Sequence, residues 1–136
     1  MDTLYLEVVT PNRVVVSQDV ETVVAPGTEG EFGVLPGHVL FLSGIVPGAL
    51  RYIVGTETVS LSVTQGFAEV SNDRVSILVD AAEKAAEIDV DRAKKALERA
   101  QKRMEEGKSN EDIDYLRVEA ALQRALVRLK VARRDI

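Results

Sequence analysis

The chain has 136 residues, no cysteine, one histidine, 46% hydrophobic content, only 4% aromatic content and a net charge of −5. That length holds one medium domain, or one small domain with an appendage. The composition excludes disulfides, thiolate metal sites and a multi-histidine zinc site within one chain, and it argues against nucleic acid as a partner, which calls for basic charge and stacking rings.

The opening MDTLYLEVVTPNR has no basic segment leading into an apolar run, so no secretory signal is expected. No apolar stretch approaches the roughly 20 residues needed to cross a bilayer, so direct membrane insertion is not expected either. The simplest compartment is the cytoplasm.

Residues 1–80 carry all four prolines, eight of the nine glycines, three basic and ten acidic residues. Short alternating segments run through them: 4–9, 13–16 and 20–24, a turn at Ala25-Pro26-Gly27, then 50–54, 58–63, 67–70 and 74–79. Strands of this length with closely spaced turn signals predict an all-β sandwich or barrel. No long helical stretch separates them, which disfavours β-α-β units.

Within this half, GEFGVLPGH (residues 30–38) concentrates three glycines, one proline and the only histidine. It has no GxxxxGK[ST] pattern and is not a phosphate loop of that kind. His38 lies near Glu29 and Glu31 in sequence, but no serine nucleophile motif accompanies it, so a contact role is preferred to catalysis. Glu29 and Glu31 read as rim charges or protein contacts.

Residues 81–136 hold fourteen basic and twelve acidic residues, one glycine and no proline. Asp89 is suited to cap a helix, with Ile88 and Ala93 as a hydrophobic staple. Ala93, Ala96, Leu97, Ala100 and Met104 share one helical face, and Gly107 fits the position just past the helix end. After the loop KSNED, with Asn110 as a candidate cap, a second helix is expected. Its apolar side would carry Ile113, Leu116, Ala120, Ala121, Ala125, Leu129 and Ala132, with Val118, Leu122 and Leu126 beside them. The expected fold class is therefore α+β by segregation: a β-sandwich over 1–84 and an antiparallel two-helix hairpin over 85–136. Because the first helix offers mostly alanine, the hairpin buries little apolar area and should be able to detach.

At about 100° per residue, Arg92 and Arg99 lie on one flank of the first helix, and Arg124 and Arg128 on the matching flank of the second. With the loop centred near residue 108, Arg92 falls level with Arg124. Four guanidiniums grouped beside a helix start suit a polyphosphate. The same spacing also suits solvated arginines paired with Glu98, Glu119 and Asp91. The C-terminal Arg133-Arg134 complements the helix dipole.

Several segments resemble the epsilon subunits of bacterial F-type rotary ATP synthases: LYLEVVTPNRVV, GTEGEFGVLPGH, TQGFAEVSNDRVSILVDAAE, the Ile88-Asp89-Val90-Asp91-Arg92-Ala93 motif and EAALQRALVRLKVA. One local departure is Val39-Leu40-Phe41-Leu42, where the family pattern has Ala-Pro-Leu-Leu. The resemblance implies a non-catalytic rotor subunit that binds gamma and the c-ring, at the cytoplasmic face of the cell membrane. It implies that the C-terminal helices can extend toward the alpha and beta subunits and inhibit ATP hydrolysis. It implies no required cofactor, with ATP as a regulatory ligand on the folded hairpin held by Glu83, Ile88, Asp89, Arg92, Ala93, Arg99, Arg124 and Arg128. It places Glu31 near the c-ring and His38 near gamma. Alternatives are a free-standing cytosolic ATP sensor, an enzyme using His38, and a mitochondrial delta-type homologue, the last disfavoured because no transit peptide is seen.

Overall fold

The computed structural model describes residues 2–37, 40–107 and 114–133. Ten strands come first: β1 (Leu4–Val9), β2 (Val14–Val20), β3 (Thr22–Gly27), β4 (Gly30–Val34), β5 (Phe41–Ile45), β6 (Gly48–Val54), β7 (Glu57–Val63), β8 (Gly66–Ser71), β9 (Arg74–Val79) and β10 (Ala82–Lys84). A single 3₁₀ turn, Ala85–Glu87, leads to α1 (Val90–Gly107) and α2 (Tyr115–Arg133).

The strands pair in the order β10-β7-β6-β3-β5-β8-β9-β1-β2, with β4 on β3. β3 passes between layers, pairing with β6 through Thr22–Val24 and with β5 at Gly27. The ladder therefore bends into a two-layer sandwich, with β10-β7-β6-β3 in one layer and β5-β8-β9-β1-β2 in the other. All pairs are antiparallel except β1 with β9, where Leu6 lies opposite Val75 and Val8 opposite Ile77. Strict alternation sends Leu4, Leu6 and Val8, Leu50 and Tyr52, and Val75, Ile77 and Val79 into one core.

Three strands, β4, β5 and β10, go beyond the seven segments read from alternation. The expected turn at Ala25-Pro26-Gly27 is instead the end of β3, paired with Phe32, Glu31 and Gly30. Pro26 is tolerated there because β6 pairing stops at Val24, so no ladder donor is required on that side. The chain reverses at Thr28-Glu29. GEFGVLPGH is thus half strand, and its Gly30 and Gly37 hold φ of 115° and 85°. The Gly37 N–H donates to Asp73 Oδ1 at 2.6 Å, tying this loop to the β8–β9 turn. His38 lies outside the described residues.

Asp89 caps α1, its Oδ1 accepting the Arg92 N–H at 3.0 Å. Both staple residues, Ile88 and Ala93, are buried. α2 is capped by Asp114, whose Oδ1 accepts the Arg117 N–H at 3.2 Å. The candidate cap Asn110 and Ile113 lie outside the described residues. Gly107 is the last residue of α1 rather than the one after it, and an added Cβ would stand 3.1 Å from the Tyr115 ring. The buried positions of α2 are Val118, Ala125, Leu129 and Val131. Leu116 is 80% exposed and Ala120 is also exposed, although both were expected on the apolar side; the opposite side of α2 is buried only further along, at Val131.

β8 begins where two backbones nearly touch. A Cβ on Gly66 would lie 1.9 Å from Leu78 O and 2.7 Å from Val79 Cα, both backbone atoms that cannot move aside alone. Gly66→Ala is expected to lower stability by about 2 kcal/mol or more, the scale of an overpacked core. Urea unfolding checks this: the midpoint should fall while the slope stays unchanged.

Candidate functional site

α1 packs mainly on α2, and α2 packs on β6, β7 and the 3₁₀ turn. The facing helix positions are small: Ala96 and Ala100 on α1, Ala121 and Ala125 on α2. Little side-chain volume fills the angle between hairpin and sheet edge, and a cleft of about 870 Å³ is left there, its sheet wall formed by β7 and β10. That size is ordinary for a small-molecule site, roughly 300–1,000 Å³.

The cleft is lined by five arginines, Arg99, Arg103, Arg117, Arg124 and Arg128, and by three carboxylates, Glu83, Glu106 and Asp114. Its guanidiniums exceed its carboxylates by two, around an alanine floor. Such a surface attracts an anion with several oxygens, each guanidinium offering paired N–H donors.

Arg128 is already oriented. Its Nε donates to Glu83 Oε1 at 2.7 Å and its Nη2 to Glu83 Oε2 at 3.4 Å, with side chains 23% and 31% exposed. This fork joins α2 to β10. A solvated pair supplies only about 0.2–1 kcal/mol, whereas each fully buried Leu or Val supplies about 1.5–3 kcal/mol. Apolar burial along α2 therefore outweighs the pair in holding the helix, and the Arg128–Glu83 fork fixes its register on β10.

Of the residues singled out from sequence, Glu83, Arg99, Arg124 and Arg128 share this cleft; Ile88, Asp89, Arg92 and Ala93 do not line it. The expected level of Arg92 with Arg124 assumed a loop centred near residue 108. In the structure Gly107 lies against Tyr115, and counting back along both helices from there puts Arg99 level with Gln123–Arg124 and Arg92 level with Lys130. Arg103 and Arg117 join the lining in its place, and their signal was legible as a basic residue one turn beyond Arg99 and another beside the Asp114 cap. Glu31, on β4, is half-exposed and accepts from Arg51 Nη2 at 3.2 Å.

A second polar cluster braces the connector. Arg13 Nη1 donates to Glu87 Oε2 at 2.8 Å, and Arg13 Nη2 donates to Ala82 O at 3.2 Å. Glu87 Oε1 also accepts the Lys84 N–H at 3.1 Å. The Arg13 hydrogen bond, with help from the Lys84 amide, holds the Glu87 carboxyl below the usual carboxylate range, and the same partner raises Arg13.

The sandwich also has an apolar outer row. Phe67 lies opposite Leu78, Leu78 opposite Val9, and Val9 opposite Val14. Phe67 and Val14 are each 57% exposed, Leu78 is 42% exposed, and Leu42 on β5 is 68% exposed. Sequence reasoning missed this row, although its signal was there: apolar residues on both phases of the alternation in 67–70 and 74–79.

Among the described residues no helix is long and apolar enough to cross a membrane, and no acidic or histidine cluster could hold a metal ion.

Two family models match: the ATP synthase delta/epsilon chain beta-sandwich domain over residues 3–85 and the long alpha-helix domain of the same chain over 86–133. An ATP synthase epsilon chain of Nitratidesulfovibrio vulgaris is 50% identical over 128 residues, 94% of each chain. One from Syntrophobacter fumaroxidans is 51% identical over 127 residues, 93% of each. A cryo-EM structure of the Euglena gracilis mitochondrial ATP synthase, described as OSCP/F1/c-ring, contains a chain matching at TM-score 0.77 and 27% identity, over 96% of this chain and 81% of that one. A chain of the Tetrahymena thermophila central stalk and c-ring shares the fold at TM-score 0.60 and 16% identity, over 98% and 96%.

The depressed Glu87 carboxyl has a definite pH sign. Its stabilising contribution is full above the ordinary glutamate range and is lost as pH falls through the lower folded value. A carbon-detected NMR titration should place the Glu87 midpoint below that of a peptide glutamate, and Arg13→Gln should move it upward.

With both halves matched by family models and close relatives aligned over nearly their whole length, the chain belongs to the delta/epsilon family of ATP synthase subunits, among its epsilon chains.

Proposed function

We propose that the protein is a non-catalytic central-stalk subunit of a bacterial F-type ATP synthase, peripheral to the cytoplasmic face of the membrane. In this reading the sandwich links gamma to the c-ring, and the hairpin is a regulatory arm. Seated on the sandwich it permits ATP hydrolysis, and extended toward the alpha and beta subunits it inhibits. ATP bound in the cleft favours the seated state. No cofactor is required.

The observation that carries this reading is the arginine-lined cleft under a hairpin whose facing positions are mostly alanine. A triphosphate there would neutralise the excess guanidinium charge and bridge the arginines of α1 and α2, so it would bind the paired helices of the seated hairpin and not the extended ones. The outer row Val14–Val9–Leu78–Phe67, exposed at all but Val9, and its neighbour Leu42 support a permanent partner on the outer face of the sandwich, since large apolar side chains rarely align in water without one. We assign that face to gamma, together with His38, and the end carrying Glu31 to the c-ring.

Calorimetric titration of the isolated protein with ATP tests the cleft. Saturable binding is expected, weakened roughly tenfold or more by Arg124→Ala through loss of charge-assisted hydrogen bonds, and weakened less by Arg92→Ala, because Arg92 does not line the cleft. Absence of binding at millimolar ATP removes the sensing role and leaves the stalk role in place.

Phe67→Asp tests the outer face. It should abolish co-purification with gamma while circular dichroism and the thermal midpoint of the isolated protein stay close to those of the parent. Retained co-purification sinks the assignment of this face.

A further inference from the structure

β10 is a short strand at one end of the ladder, and its outward backbone groups are taken by side chains. Ala82 O accepts from Arg13 Nη2, and the Lys84 N–H donates to Glu87 Oε1. Arg13 and Glu87 then close on each other. Arg13 is itself fixed from behind, since its N–H donates to Thr10 Oγ1 at 3.2 Å and its carbonyl accepts the Thr10 N–H at 3.0 Å, with Thr10 buried. Three hydrogen-bonded links, Arg13 to Ala82, Lys84 to Glu87 and Glu87 to Arg13, are thus closed into one ring by the β10 backbone between Ala82 and Lys84.

Beyond Glu87 the bonding changes allegiance. The Ile88 N–H turns back to Ala85 O at 3.3 Å. Asp89 bonds forward, its carbonyl to the Ala93 N–H and its side chain to the Arg92 N–H. Ile88 alone stands between the last anchor on the sandwich and the cap of α1, with φ −73° and ψ 124°, an extended conformation that needs no helical partner.

We propose that the Arg13–Glu87 ring is the fixed pivot of the regulatory arm: it holds the connector through Glu87 on the sandwich, so that the helices leave by rotation at Ile88 alone. The inference rests on the reading that the hairpin detaches. It adds that β10 and the 3₁₀ turn do not leave with the hairpin, so Glu83 stays on the sheet to receive Arg128 on return. The same ring also limits the extended arm to the residues beyond 87.

Amide hydrogen exchange on the whole protein under native conditions tests this. The amides of Glu83, paired on β7, and of Lys84, held by Glu87, are expected to be protected at the level of the sandwich, with 90–107 and 115–133 exchanging faster. In Arg13→Gln and in Glu87→Gln, these two amides should exchange several-fold faster and in step with the helices, while β1, β8 and β9 remain as slow as in the parent. Arg13→Lys keeps a cation but loses the fork and should fall between. Glu83 and Lys84 exchanging with the helices in the parent, or unchanged by Arg13→Gln, overturn the pivot and leave the detachable arm standing. Helices as slow as the sandwich overturn both.

Discussion

The docking of α2 depends on β10, a strand of three residues. Its antiparallel pairing with β7 fixes Glu83 opposite Ser62, where the carboxylate faces the oncoming Arg128. Without that strand the cleft would lose a wall and the hairpin its register. Apolar burial gives α2 its affinity for the sheet but is non-directional, and many sliding positions would bury similar area. A forked guanidinium–carboxylate pair tolerates few of them. Attraction and placement are therefore supplied by different residues.

The alanine face of α1 has two effects at once. It lowers the apolar area that holds the two helices together. It also leaves the space in which arginines from both helices meet. Bulkier residues at Ala96 and Ala100 would tighten the hairpin and fill the cleft. Stability has been held down in the same positions where a ligand could restore it, and a ligand bound there would stabilise the seated state in proportion to its own concentration.

Much of this was legible in the sequence. The division near residue 80 showed in proline, glycine and charge, and seven of the strands showed in their alternation. β4 and β5 did not show, because GEFGV and FLSGI have weak intrinsic preference for strand and take that state from pairing with β3 and β8. β10 was too short to show any period. On α2, alanine and leucine occur on nearly every face, so the buried stripe was blurred, and the exposed Leu116 was drawn into it. The expected level of Arg92 was off by six residues of α2, and the difference arose from where the hairpin reverses. The Arg13–Glu87 ring joins positions 74 residues apart and had no local signal.

The parallel pair β1–β9 bears on the order in which the chain becomes a molecule. β1 is complete at Val9, but its neighbour in the inner ladder ends at Val79, and the core cannot close around Leu6 and Val8 until that strand exists. Contacts so distant in sequence are slow to form, whereas two helices joined by a short loop associate quickly once made. On a ribosome the delay is absorbed by translation: the sandwich has its last strands before the helices are synthesised. The arm therefore emerges beside a seat that is already built.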